Sequence, residues 1–526
     1  MGANSSLGPP SREATTEDAG RAWNAESAPE PTLQEEAPPG TSGYRRALKS
    51  LLVYSGGIVA AKLASVILVP LYTHRLTQAE YGTLELLDVT LQAATKLLWG
   101  GLPYAFWYFY TNRNTEQERR RVVTTAVLGA LAVGSAGALA GSALAPWISE
   151  LLWGSRRNAA LLWILFAGMA CAFPFEVMLN WFRVIDEPVK YVASGMGRLV
   201  LQVAGAVFLL MVCGLGIAGV LWSSVLAGGA GAAVLLVYGL RRNGMGVDPR
   251  LFGRMLVYAT PSIFVGLCSF LSHFGDRYFL LRSVSLSELA IYSLAYKFGM
   301  LITLMQYAFQ AYWNAQVFEI AKRPSSSVLL GRALTYLTLA LCGATLAITA
   351  FVKPVLRLLA PPAYAACAPL VPLICAAYVA FGLSAYFQTL FYVRKRPGSD
   401  AILSGAGALT AGLAYLILIP RYQLWGAATA TLLSFAVTLL LGIVWSRRFI
   451  HVQCEWGRLS KVVVSAAALA VVCQCLPLHS TVAQVAAGAC VLLGYATLLV
   501  LTDFLNQSEK RVVHSYLARL RLFAQR

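Results

Sequence analysis

Long apolar runs follow one another along this chain with only short polar breaks between them, and no other feature limits its fold so severely. A helix rising 1.5 Å per residue crosses the roughly 30 Å hydrocarbon core of a bilayer in about 20 residues. Windows of about 19 residues pick out roughly fourteen such runs. Six lie near residues 51–72, 84–110, 122–144, 159–181, 191–212 and 217–240. Six more lie near 255–281, 290–313, 333–352, 369–392, 401–419 and 425–445, and a last pair near 461–476 and 482–501. Of the 526 residues 58% are apolar and 13% charged, too little polar surface to wrap a soluble globule of this size. The expected fold is all-α, a polytopic integral membrane protein of about 14 transmembrane helices.

The charges arrange themselves around those runs. The net charge of +18 would suit nucleic acid, yet Lys and Arg recur in short loops and are not gathered on one face, so no nucleic-acid partner is expected. Counted over alternate connections, roughly 28 Lys and Arg fall on the side bearing both termini and about 7 on the other. That bias places both termini in the cytoplasm. The ten cysteines are mostly single and sit in or beside apolar runs, which suits small-hydrophobe packing better than a disulfide framework. Cys473 and Cys475 lack a second ligand pair, so no metal site is expected. Gly214-Leu-Gly216-Ile-Ala-Gly219 matches the dinucleotide fingerprint in letters only; it joins two apolar helices and follows no strand, and reads as a tight turn.

The domain order follows. Residues 1–43 are rich in Pro, Ala, Ser, Thr and Glu without apolar periodicity and read as a disordered acidic tail. Residues 44–242 and 250–448 form two six-helix lobes, 459–502 an additional helix pair, and 503–526 a basic cytoplasmic tail. The lobes read as pseudo-symmetric: Leu52-Val53-Tyr54 opens the first and Leu256-Val257-Tyr258 the second. In each, an Arg, an acid and then a Tyr follow, as Arg75, Glu80 and Tyr81 and as Arg282, Glu288 and Tyr292. Paired six-span halves are a recurrent transporter plan, with the substrate site between them.

Charges inside the spans are costly and face other helices or a wet cavity. The basic ones are Lys62, Lys96, Arg198, Arg277 and Lys297; the acids are Asp88, Glu176 and Asp276. Asp276 and Arg277 are adjacent, so they are expected to leave the helix on different sides and to reach different spans. Arg198 reads as snorkelling near a span end. Gly56-Gly57 and Gly100-Gly101-Leu102-Pro103 are places where helices could kink or break, so Gly56, Gly57, Gly100, Gly101 and Pro103 are the candidate hinges. Gly129, Gly134, Gly137 and Gly141 read as a close-packing stripe.

Two segments carry a family likeness. His74 to Val89, HRLTQAEYGTLELLDV, resembles the first periplasmic turn of Wzx-type polysaccharide flippases. Asp276 to Glu319, beginning DRYFLLRSVSLSELAIYSLAYKFGM, resembles their seventh and eighth spans. That family lies in the multidrug/oligosaccharidyl-lipid/polysaccharide (MOP) exporter superfamily, with the lipid II flippase and the MATE exporters. The resemblance implies two lobes around a cationic cavity in a bacterial inner membrane, without enzymatic chemistry. It implies translocation of an undecaprenyl-pyrophosphate-linked oligosaccharide from the cytoplasmic to the periplasmic leaflet. The partners it brings are that polyprenyl-pyrophosphate-linked glycan, the membrane lipid, a glycan polymerase and glycosyltransferases. A multiply anionic headgroup needs cations in a wet cleft, for which Lys62, Lys96, Arg277 and Lys297 are the candidates. The structural alternative for each is an ion pair with a neighbouring acid or snorkelling to an interface. Asp88, Glu176 and Asp276 are candidate coupling sites for H+ or Na+; no other cofactor is expected. The extra C-terminal pair leaves the lipid II branch open, and a MATE-like exporter is the alternative transporter.

Overall fold

The computed structural model describes residues 56–57, 68–394, 398–476 and 480–504. All belong to one unit that begins at Val53. Among these residues every regular element is helical. The first described helix, α1, covers residues 68–75. The rest of the first half is α2 (Gln78–Trp99), α3 (Leu102–Thr111), α4 (Glu116–Trp153), α5 (Ala159–Val184), α6 (Pro188–Val207, running into a π-turn at Phe208–Val212) and α7 (Gly216–Asn243). The second half is α8 (Pro249–Phe274), α9 (Asp276–Leu280), α10 (Leu286–Met300), α11 (Ile302–Ala321), α12 (Ser326–Leu359), a 3-10 segment at Pro362–Leu370, α13 (Val371–Val393) and α14 (Gly398–Ser446). The closing pair is α15 (Trp456–Cys475) and α16 (Thr481–Leu501).

Eleven of the described helices are long and apolar enough to span a bilayer, and three local causes reconcile that number with fourteen runs. The first run lies mostly outside the described residues. The second is divided: α2 carries Glu80, Glu85, Asp88 and Lys96, and it stops at Gly100 before α3 begins. The third is α14, whose 49 residues reverse at Gln423 (φ 51°, ψ −123°), so that two spans are doubled back on each other. Gly426 makes this reversal feasible, because a Cβ there would stand 2.2 Å from the Leu418 carbonyl oxygen. The seventh and eighth runs are broken as well, at Gly275 and at Leu301.

Packing separates the lobes. In the first, α4 lies along α5, and α7 packs on both α5 and α6; in the second, α14 lies along α13 and α8, and α12 packs on α13. The α15–α16 pair rests on α12 through a cluster that includes Cys342, Leu346, Val462 and Tyr495. Lipid tails are as apolar as leucine, so close van der Waals contact between helices replaces hydrophobic drive. The glycine stripe of α4 supplies it: Gly134 faces the Met169 carbonyl and Gly141 the Phe166 ring, while Gly137 meets Leu98 and Gly129 meets Phe252. Outward faces stay apolar, as with Leu409, Leu413 and Leu416, which recur at helical spacing and are all exposed.

Local capping explains the internal likeness of the halves. Thr77 caps α2 and Glu80 closes a capping box with it; Ser285 and Glu288 do the same for α10. The tyrosine follows directly after the acid in α2 and about one turn later in α10. Asp248 caps α8 by accepting from the Leu251 N–H at 3.0 Å, which holds its carboxyl below the usual carboxylate range.

The lobes meet through α2. Close approach is enforced by two glycines, since a Cβ on Gly82 would lie 2.0 Å from the Leu286 carbonyl oxygen and one on Gly101 2.1 Å from that of Ala259. Near the capped ends of α2 and α10, Thr73 Oγ1 donates to the Leu359 carbonyl at 3.0 Å and Gln78 Nε2 to that of Ala363 at 3.0 Å. At the other end of α2, Tyr108 stacks on Tyr258 with ring centres 4.7 Å apart.

Candidate functional site: a cavity of mixed charge

One face of α2 is polar at helical spacing, with Tyr81, Glu85, Asp88 and Thr95 in succession. Glu85, Asp88 and Thr95 line a cavity of about 290 Å³ together with Arg198 and Gln202 of α6, Ser224 of α7 and Lys297 of α10. Leu68, Leu84, Leu165 and Val220 supply apolar wall. The cavity therefore lies among first-lobe helices, with Lys297 reaching in from the second, which differs from a site shared evenly by the halves.

Lys297 is the centre of this wall. Its ammonium pairs with Glu85 Oε1 and donates to the Tyr81 hydroxyl at 2.8 Å. Its Nζ lies 5.0 Å from the Tyr81 ring centre. Glu85 is 9% exposed, whereas Asp88, one turn along, opens onto the cavity and accepts from Gln92 Nε2 at 3.3 Å. Across the space, Arg198 has Glu176 Oε1 at 3.9 Å and lies 4.9 Å from the Phe175 ring centre. Gln202 Nε2 donates to Ser224 Oγ at 2.9 Å.

The remaining candidates take other places. Arg277 and Asp276 are 3% and 0% exposed and do not line the cavity. They bond each other, contrary to the expectation that adjacent residues would serve separate spans. The helix break at Gly275 starts α9 at Asp276, and from that first position the carboxylate folds forward. Asp276 Oδ1 accepts from the Arg277 N–H at 2.9 Å and from Nη1 at 2.8 Å; Oδ2 accepts from the Tyr292 hydroxyl at 2.5 Å. The guanidinium lies 4.3 Å from the Tyr296 ring centre, and its Nη1 also donates to the His273 carbonyl at 3.3 Å. Lys96 is exposed on α2 and faces Gly266 of α8. Lys62 lies outside the described residues. Gly100 and Gly101 separate α2 from α3, Pro103 sits in the first turn of α3, and Gly57 packs against Val192. Gly56 has open space around it. Among the described residues no cluster of His, Cys, Asp and Glu could hold a metal ion.

Sequence reasoning missed Glu85 and misjudged Arg198. The first was legible as a polar stripe, with Tyr81, Glu85 and Asp88 spaced four and three apart. Arg198 lies in the middle of α6, and its guanidinium turns inward to Glu176 and Phe175, so it is no snorkelling residue.

The model of the family described as "Polysaccharide biosynthesis protein" matches residues 47–311, half of the chain. The chain belongs to this family. No curated protein sequence matches it. Among solved structures, the lipid II flippase MurJ in an inward closed conformation superposes with a TM-score of 0.71 at 11% identity, covering 85% of this chain and 98% of that one. An inward-facing MATE family multidrug resistance transporter of the MOP superfamily gives 0.56 at 15% identity, over 80% and 95%. A Vibrio cholerae MATE transporter gives 0.57 at 12% identity, over 77% and 97%. At such identities the likeness is one of fold, and the fold is that of the MOP superfamily. Family and fold together bear out the Wzx-type resemblance.

In this polysaccharide biosynthesis protein the wall of the cavity is of mixed sign. The Lys297–Glu85 pair and Asp88 line one side and Arg198 the other of a space at the lower edge of drug-sized sites, which start at about 300 Å³. It is large enough for a compact polar group.

Proposed function

We propose that the protein is a flippase that carries an undecaprenyl-pyrophosphate-linked oligosaccharide from the cytoplasmic to the periplasmic leaflet by alternating access. The observation that carries this reading is Lys297, a cation from one lobe placed in a polar cavity among the spans of the other, in a chain of the polysaccharide biosynthesis family. A diphosphate cannot cross hydrocarbon bare, because charge at the bilayer centre costs at least about 3 kcal/mol per group on insertion scales. A transporter of such a lipid supplies cations and water for the head while the polyprenyl tail stays in lipid. Lys297 and Arg198 are the headgroup ligands on this reading, with Lys96 nearer the α8 side of the path. Asp88, open to the cavity, is the foremost of the candidate H+ or Na+ sites.

The setting is a bacterial inner membrane with both termini in the cytoplasm, which the distribution of Lys and Arg supports. Glycosyltransferases that build the lipid-linked glycan and a polymerase that extends it are the partners this reaction needs. In a deletion strain, Lys297→Ala is expected to abolish surface glycan without lowering the amount of protein in the membrane, while lipid-linked glycan accumulates in the cytoplasmic leaflet. Normal surface glycan from that variant would overturn the assignment of Lys297.

A second reading, a MATE-like exporter of organic cations, is favoured by one observation: Glu85 and Asp88 line the same cavity. It predicts that deletion raises drug sensitivity and leaves surface glycan intact. Flipping of lipid II, which the MurJ-like fold supports, predicts loss of cell-wall precursor export instead.

A further inference from the structure

The Glu85 carboxylate occupies the place on Lys297 that a phosphate would take. We infer that Glu85 is an internal counter-anion, which an incoming phosphate ester must displace, and that its displacement releases α2 from α10. The inference rests on the flippase reading above and adds to it a competitor for the headgroup.

Geometry carries the argument. Lys297 belongs to the second lobe and Glu85 to the first, so their ion pair is a bond between lobes. Tyr81, one turn before Glu85, donates nothing to Lys297 and instead accepts from it at 2.8 Å, so the ammonium is held by two groups of the same helix. The cavity reaches both charged residues, and the Lys297 side chain keeps 34% of its exposure against 12% for Glu85. An ammonium has three donors. Two are engaged, and the third gives an anion entering from the cavity side its first contact before it takes the place of the carboxylate.

A pyrophosphate bears more charge than a carboxylate and offers more acceptor oxygens, so it wins the ammonium once it is close. The exchange needs no covalent step. Its consequence for shape follows from position: α2 and α10 also touch where Gly82 meets the Leu286 carbonyl, and the ion pair ties the same two helices further along. When the carboxylate is displaced, the charge attraction between the lobes at this level is exchanged for attraction between the second lobe and the cargo. Binding of the headgroup thus removes one of the ties between α2 and α10. The same arrangement keeps the empty transporter from leaving a bare ammonium in the spans, where charge without a partner is costly.

The magnitude follows from the fraction of time the pair is closed. If Glu85 occupies Lys297 for about nine-tenths of the time, the apparent Kd for a competing anion is about tenfold weaker than the intrinsic one. Removing the carboxylate's charge returns that factor.

The test measures binding of undecaprenyl pyrophosphate to the full chain in lipid nanodiscs. Glu85→Gln is expected to bind about tenfold more tightly than the parent, Glu85→Asp to fall between them, and Lys297→Gln to lose binding. The Asp variant gives the same answer in graded form should the Gln variant be poorly folded, as judged by its elution and melting profile. If both Glu85 variants bind no more tightly than the parent while Lys297→Gln loses binding, the counter-anion role is overturned and the headgroup reading stands. If Lys297→Gln binds like the parent, the headgroup reading itself fails.

Discussion

Arg277 is a cation deep in the protein whose neutralising partner is its own neighbour in sequence, and that closeness decides what its removal would do. Breaking a buried pair by deleting one member costs about 3–5 kcal/mol, because the other charge is left uncompensated. Asp276→Ala leaves the Arg277 guanidinium with the His273 carbonyl and aromatic faces as partners and strands the Tyr292 hydroxyl as well. The variant is expected to lose most of that energy, read as a lower melting temperature in detergent; a parent-like melt would show that the pair is not a structural clamp. Lys297 behaves differently at the same scale, since its side chain is 34% accessible and opens on a cavity. The sequence marked both as intramembrane cations. It could not rank them, because burial of Arg277 comes from Phe274 and, on α10, from Tyr292 and Tyr296, which tertiary packing brings around it. A rule based on unbroken helical spacing sends adjacent side chains apart, and here the helix is not unbroken.

At the scale of elements, the interruption between α2 and α3 is the most consequential break, because it divides one membrane run where the lobes touch. Gly101 has no room for a side chain: its Cβ would meet the Ala259 carbonyl oxygen at 2.1 Å. That contact is backbone to backbone, so a larger residue must push α3 away from α8 as a unit. Overpacking typically costs about 1–3 kcal/mol. Gly101→Val is expected to lower stability by that order and to weaken the Tyr108–Tyr258 stack beside it, which loss of protection of α8 in hydrogen exchange would report. Unchanged exchange in α8 would overturn the account. The break was legible in Gly100-Gly101-Leu102-Pro103, as was the doubling of the α14 region into two runs, because both depend on local chain chemistry. The repeat was legible for the same reason, since the capping boxes of α2 and α10 are local devices. Which helix faces meet across the lobes was not, because that depends on approaches such as Gly82 to Leu286 between residues about 200 positions apart.

Across the whole molecule, the apolar runs and their number fixed a bundle of about fourteen spans, while the cavity depends on how α2, α6, α7 and α10 converge. Alternating access requires the lobes to part at one end while they close at the other. The end that carries the capped starts of α2 and α10 is held shut by Thr73 on Leu359, Gln78 on Ala363 and the Tyr81–Tyr364 edge contact. These are hydrogen bonds and ring contacts of modest net worth, about 1 kcal/mol each, so on the proposed alternating-access reading this end is the one that parts. A covalent tie there should stop the cycle without touching the charged cavity. Thr73→Cys with Leu359→Cys, in a chain whose ten native cysteines are replaced, joins the lobes when treated with a short, reducible thiol cross-linker. Cross-linked protein in vesicles is expected to bind lipid-linked pyrophosphate and yet fail to move it between leaflets, and reduction should restore movement. Translocation at the parent rate while the tie is intact would mean that this end never opens, and the cargo would then need a path along the outside of the lobes.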